Sequence, residues 1–170
     1  MLTFDKYELG RTDDTVEISL RNENRAAALT MARQSRRTLE ILSRKLDPDI
    51  YDTIEFVEAV KAFILQNRRS RVRILVDDAK SLVQQGHRLI NLSYSLSSYI
   101  EFRIPSEDYK DHTDSLFIAD TTGYIHRLNE NRFEGTLNFN DQRVSKHLLH
   151  SFDEVWSRAS QDLNLRQVHI

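Results

Sequence analysis

Apolar and polar positions alternate along this chain in a way that changes period several times. Val16-Glu17-Ile18-Ser19-Leu20 alternates with the period of a strand. From Asn24 to Ser35 the apolar positions Ala28, Met31 and Ala32 fall at helical spacing. Thr38 to Leu42 is a short apolar run that suits a buried strand. Asp52, followed three residues later by Glu55, reads as a capping-box start to a helix whose stripe is Phe56, Val57, Val60, Phe63 and Ile64. Val72 to Val76 reads as the clearest strand and ends on Asp77-Asp78. A helix opening at Asp78 or Ala79 breaks near Gly86 and resumes from Leu89 to Leu96. Tyr99 to Ile104, Leu116 to Ala119 and Tyr124 to Leu128 read as strands, the last two joined by a turn at Thr121–Gly123. Phe133 to Phe139 adds one more. Asn140 or Asp141 caps a long final helix carrying Val144, Leu148, Phe152, Val155, Trp156 and Ala159 on one side.

Strands alternating with helices of this length predict βαβ units, hence an α/β domain with a mainly parallel sheet covered by helices on both faces. The turn at Thr121–Gly123 adds antiparallel strands. At 170 residues the chain reads as a single domain, 1–170, with its core over about 15–162 and an extended tail over 163–170. Pro48 and Pro105 sit in polar connectors.

Composition removes several chemistries. With no cysteine there is no thiol nucleophile, thiolate metal site or disulfide frame. The four glycines are too dispersed for a dinucleotide or P-loop signature. A net charge of −2 argues against whole-molecule attraction to polyanions and leaves room for local patches. The N-terminal stretch is not a secretory signal, and no apolar run is long enough to cross a bilayer, so a cytoplasmic protein without membrane contact is expected.

Few residues offer chemistry. His147 and His150, three apart on the last helix, lack a completing zinc pattern and read as rim histidines. Asp77 and Asp78 lie where α/β folds bind ligands, at a strand's carboxyl end; they either hold a metal or simply end a strand and cap a helix. Arg68, Arg69, Arg71 and Arg73 form the densest basic run and are candidates for phosphate contact, or else helix-end and strand-start charges. His87 and Arg88 follow the helix break and form either an anion site or a cap and an ion pair with a carboxylate such as Glu101.

The last third then carries a recognisable cadence: SLFIADTTGYIHRL, EGTLNFND and VSKHLLHSFDEVWSRA, closing on Phe152-x-x-x-Trp156. It resembles the end of a phospholipase D-like half-domain. The upstream LEILSRKLDPDIYDTIEFVEAVKAFILQNRRSRVRILVDD is similar to the same superfamily's strand-helix-strand order. GHRLINLSYSLSSYIEFRI is similar to a small proteobacterial group of phospholipase D-like domains of unknown function, some joined to an acetyltransferase domain. The resemblance covers roughly residues 24–165. It implies a phospholipase D-like three-layer sandwich with a mixed, mostly parallel sheet and helices on both faces.

It also implies what is missing. Active relatives carry His-x-Lys-x4-Asp, with the histidine as nucleophile and the lysine on the phosphate. With Asp120 as the aspartate, the lysine position is Ser115 and the histidine position is Thr113. His112 is one residue out of register, which turns a strand side chain to the other face. The Gly-Ser that should follow falls on Arg127-Leu128. Thr113 has no adjacent base to activate its hydroxyl. The resemblance therefore implies a binding module without phosphodiesterase activity and without a cofactor or bound metal. It would use Thr113, Ser115, Asp120, His126, Asn138 and Asn140, with His87 and Arg88 nearby, to dock a partner. Because active relatives join two halves about a twofold axis, a homodimer through this face is expected. Two other readings stay open: a cryptic metal-dependent phosphoesterase or nuclease on Asp77, Asp78 and Asp120, and a phosphate or nucleic-acid binder on the basic run or on His87-Arg88.

Overall fold

The computed structural model describes residues 3–161. Strand β1 (Val16–Ile18) is followed by helix α1 (Arg21–Gln34), β2 (Thr38–Leu42), the single-turn α2 (Pro48–Tyr51), α3 (Ile54–Gln66) and β3 (Arg71–Leu75). Helices α4 (Ala79–Gln85) and α5 (Arg88–Ser95) lead to β4 (Ile100–Arg103). Strands β5 (Ser115–Ala119), β6 (Gly123–Arg127) and β7 (Gly135–Asn138) precede the final helix α6 (Gln142–Arg158).

The seven strands form one mixed sheet in the order β1-β7-β6-β5-β2-β3-β4. Helical crossovers make β2, β3 and β4 parallel, with Thr38 opposite Arg71 and Val72 opposite Ile100. The expectation of a mostly parallel sheet is corrected. The β1–β7, β7–β6, β6–β5 and β5–β2 pairings are all antiparallel. The reason is local: β5, β6 and β7 are joined by short turns, and a short link can only reverse the chain.

Two cores sandwich this sheet. Leu39, Ile41, Val72, Ile74, Phe117 and Leu137 pack under α1 to α5. Leu75, Leu116, Ile118 and Tyr124 pack on the opposite face under Leu148, Phe152, Val155 and Trp156 of α6. Burying each such large side chain contributes roughly 2 kcal/mol. The core also starts earlier than residue 15: Phe4 is buried and stacks on Phe139 at 5.9 Å.

Capping refines several boundaries. Helix α1 opens at Arg21 rather than Asn24, because Glu23 Oε1 accepts from the Ser19 and Leu20 amides, each at 3.0 Å. Thr53, not Asp52, caps α3: its hydroxyl accepts from Phe56 N at 3.1 Å. Asp52 ends α2 and accepts from Arg88 N at 2.9 Å. Gly86, at φ +68°, takes the left-handed conformation that stops α4, and Asp141 caps α6. Among the described residues, no helix is long and apolar enough to cross a membrane. The expected tail at 163–170 lies outside the described residues.

Candidate functional site

Parallel strands aim their carboxyl ends at a common crevice, and here the ends of β2 and β3 meet the start of β5. The loops leaving these strands enclose a cavity of about 530 Å³, bordered by Arg44, Lys45, Asp77, Asp78, Thr113 and Glu130. Its polar groups largely satisfy one another. Glu130 accepts from the Ser43 hydroxyl and, at 2.9 Å, from Arg44 N. Arg44 Nε lies 3.2 Å from Asp77 Oδ2, and its Nη2 donates to the Lys110 carbonyl. Burial pushes the Asp77 carboxyl up, and Arg44 pulls it back. Asp78 accepts from Ser81 N at 3.0 Å as the cap of α4. Thr113 donates from its hydroxyl to the Leu128 carbonyl at 3.1 Å. Lys45 is exposed and has no ion pair among the described residues.

Two cations against three carboxylates make this a mixed-charge cleft. Two buried polar residues lie at the same end of the sheet without lining this cavity. Ser115 is buried and paired in register with Arg127, so both side chains leave the sheet on the face covered by α1 to α5. Arg127 is 2% exposed. It donates to the Arg132 carbonyl at 3.1 Å, lies over Phe133 at 5.5 Å, and approaches Asp47 at 3.8 Å. Burial raises the Asp47 pKa, and the Arg127 charge opposes the rise.

The structure divides the residues singled out in the sequence. Thr113, Ser115 and His126 gather at this strand end. His126 Nε2 sits 3.2 Å from Asp114 Oδ2, and that hydrogen bond draws the Asp114 pKa down. His87 is buried near the same loops. Its Nδ1 accepts from Leu89 N at 3.1 Å, and its Nε2 lies 3.0 Å from the Leu46 carbonyl. Burial lowers its pKa, so it is a neutral cap. Arg88 pairs with Asp52 at 3.2 Å, not with Glu101.

Asp120, Asn138 and Asn140 lie at the opposite end of the sheet. Asp120, at φ +55°, turns its carboxylate onto the backbone amides of Arg36, Arg37 and Thr38, the closest at 2.7 Å. It fastens the α1–β2 junction and cannot join Asp77 and Asp78 around one metal. Among the described residues, no group of three His, Cys, Asp or Glu side chains is placed to hold a metal ion. Asn138 donates to the Asp13 carbonyl at 2.9 Å and accepts from Asn140 N at 2.8 Å, tying down the N-terminal segment. Of the basic run, Arg68, Arg69 and Arg71 are exposed. Arg73 is committed inward, 2.8 Å from Asp153 and 3.5 Å from Glu40, over the Phe152 and Trp156 rings.

Arg44, Lys45 and Glu130 are not among the residues singled out in the sequence, and Arg127 figures there only as a departure from the motif. The position of Arg44-Lys45 directly after an apolar strand was an available signal, since strand carboxyl ends bear sites. Nothing in the sequence marks Arg127 as buried.

The fold so assembled is that of the phospholipase D family. Nuc from Salmonella typhimurium, described as a phospholipase D family member, superposes with a TM-score of 0.60 at 13% identity, over 88% of this chain and 99% of that one. NucT from Helicobacter pylori gives 0.58 at 11% identity, over 88% and 99%. TrmBL2, an archaeal chromatin protein described as showing a novel mode of DNA binding, gives 0.67 at 13% identity, over 94% of this chain and 57% of its own length. The chain belongs to the family described as Domain of unknown function (DUF7931), which matches residues 20–168. No curated protein matches it.

Proposed function

We propose that this chain is a phospholipase D-like binding module that has given up phosphodiester hydrolysis and uses the strand-end cleft to dock a second copy of itself. The observation that carries this reading is the side chains at the motif positions. Thr113 is tied to the Leu128 carbonyl, and Ser115 is buried in register with Arg127, so neither motif position offers the cleft a nucleophile with an adjacent base. Leu128, at the position of the superfamily's serine, is 76% exposed on the rim of this end. A large exposed leucine beside a mixed-charge cleft suits a protein contact better than a polyanion. The family's pairing of two halves about a twofold axis makes a symmetric dimer the natural arrangement. A binding role on this fold has a parallel in TrmBL2, an archaeal chromatin protein with a novel mode of DNA binding.

The test is the mass in solution. Light scattering over a wide concentration range should give two chains for the wild type and one for Leu128→Asp. A wild type that stays at one chain throughout overturns the dimer.

A further inference from the structure

A second surface lies at the other end of the sheet, where the amino ends of β2 and β3 emerge. Arg33 closes α1, Arg36 and Arg37 precede β2, and Arg68 and Arg69 form the turn before β3. These segments adjoin: Arg71 N donates to the Arg37 carbonyl at 3.1 Å, and Thr38 pairs with Arg71. Arg33 and Arg36 also share the wall of a groove of about 610 Å³ with Arg11 and Gln66, the last residue of α3. All five of Arg33, Arg36, Arg37, Arg68 and Arg69 are exposed, and among the described residues none has a carboxylate at ion-pair distance.

Two carboxylates, Asp120 and Glu8, line the same groove, and neither is at ion-pair distance from these five arginines. The Asp120 carboxylate is taken up by three backbone amides, and Glu8 lies 3.5 Å from Arg11. A chain of net charge −2 thus concentrates unpaired positive charge on one edge. A single small anion would call for convergent donors. These arginines instead spread across α1 and two adjacent strands about 5 Å apart, a repeated array that matches a repeated charge. Guanidinium forks are the group best suited to phosphate oxygens. Leu65, 68% exposed, is the one large apolar side chain in this region among the described exposed hydrophobics, which is too little to anchor a lipid surface.

We infer that this arginine edge binds the phosphate backbone of nucleic acid, independently of the cleft at the opposite end. The assay is fluorescence anisotropy of a labelled duplex DNA of mixed sequence, titrated with the whole chain at several salt concentrations. Four neutralised phosphates predict a slope of log K against log salt of about −3.6, so affinity falls roughly 150-fold between about 50 and 200 mM salt. Arg36→Gln combined with Arg69→Gln should reduce the slope by about two, because each lost phosphate contact removes about one. Arg158→Gln, exposed in the last turn of α6 and away from both this edge and the cleft lining, should leave both affinity and slope unchanged. Circular dichroism of the variants confirms that exposed substitutions leave the fold intact. Absence of binding at low salt overturns the inference, as does equal binding by the double variant. Tighter association with phosphatidylserine vesicles than with duplex, lost in the same variant, overturns it in favour of a lipid surface.

Discussion

Replacing Glu40 with glutamine should stabilise the protein near pH 8 and leave it close to wild type near pH 4.5. Glu40 is 1% exposed, on the face of β2 that α6 covers. Its Oε2 lies 3.5 Å from Arg73 Nη2, while Oε1 is buried with no hydrogen-bond partner. Burial pushes its pKa from 4.5 up to about 7, with Arg73 pulling the other way. The folded protein therefore keeps this proton to about pH 7, whereas the unfolded chain releases it near 4.5. The protonated acid's contribution is complete below 4.5 and is lost as pH rises through 7. At about 1.4 kcal/mol per pH unit, that interval amounts to about 3 kcal/mol. Glutamine keeps an acceptor for Arg73 without a charge to desolvate. Other groups titrate in the same range. Buried His87 has a lowered pKa and contributes stability that is lost as pH falls, the opposite sign. The readout is therefore the difference between Glu40→Gln and wild type in urea-unfolding free energy at several pH values. That difference should grow by about 3 kcal/mol from acid to alkaline pH. A difference that is flat, or that shrinks as pH rises, refutes the reasoning.

Two further substitutions test the framework. Asp120→Ala removes the acceptor of three backbone amides at a left-handed position and should lower stability by about 3 kcal/mol, with Asp120→Asn costing about half as much, read as melting temperature by circular dichroism. Arg127→Met should cost about 3 kcal/mol by leaving Asp47 without its nearby charge. Combining it with Asp47→Asn should recover most of that loss, as a double-mutant cycle in urea will show.

Much of the architecture was legible because it rests on periodicity. The helices over 54–66 and 142–158 carry long apolar stripes, and the Gly86 break is marked by a residue suited to the left-handed conformation. The strand directions were less legible. β1 joins the sheet beside β7, a partner more than a hundred residues away that no local pattern announces. The candidate site was harder still. Motif register located Thr113 and Ser115, and both do sit at the carboxyl ends of the parallel strands. The same register grouped Asp120 with them, yet a five-residue strand separates the two, and the aspartate serves the far end. Arg127 sits in a short strand whose charged end looks solvent-bound. Its burial comes from Phe133 and Asp47, both distant along the chain or across a turn. Arg73 shows the converse: it lies in an apparently basic surface run, but strand alternation turns it under α6.

We propose that this phospholipase D-like domain does not hydrolyse phosphodiesters, because the side chains at Thr113 and Ser115 replace those of the motif. The most direct test is release of nitrophenol from bis(p-nitrophenyl) phosphate by the purified chain, with and without divalent metal. The expected rate is no higher than that of buffer alone. Turnover above buffer that disappears in His112→Gln would contradict it.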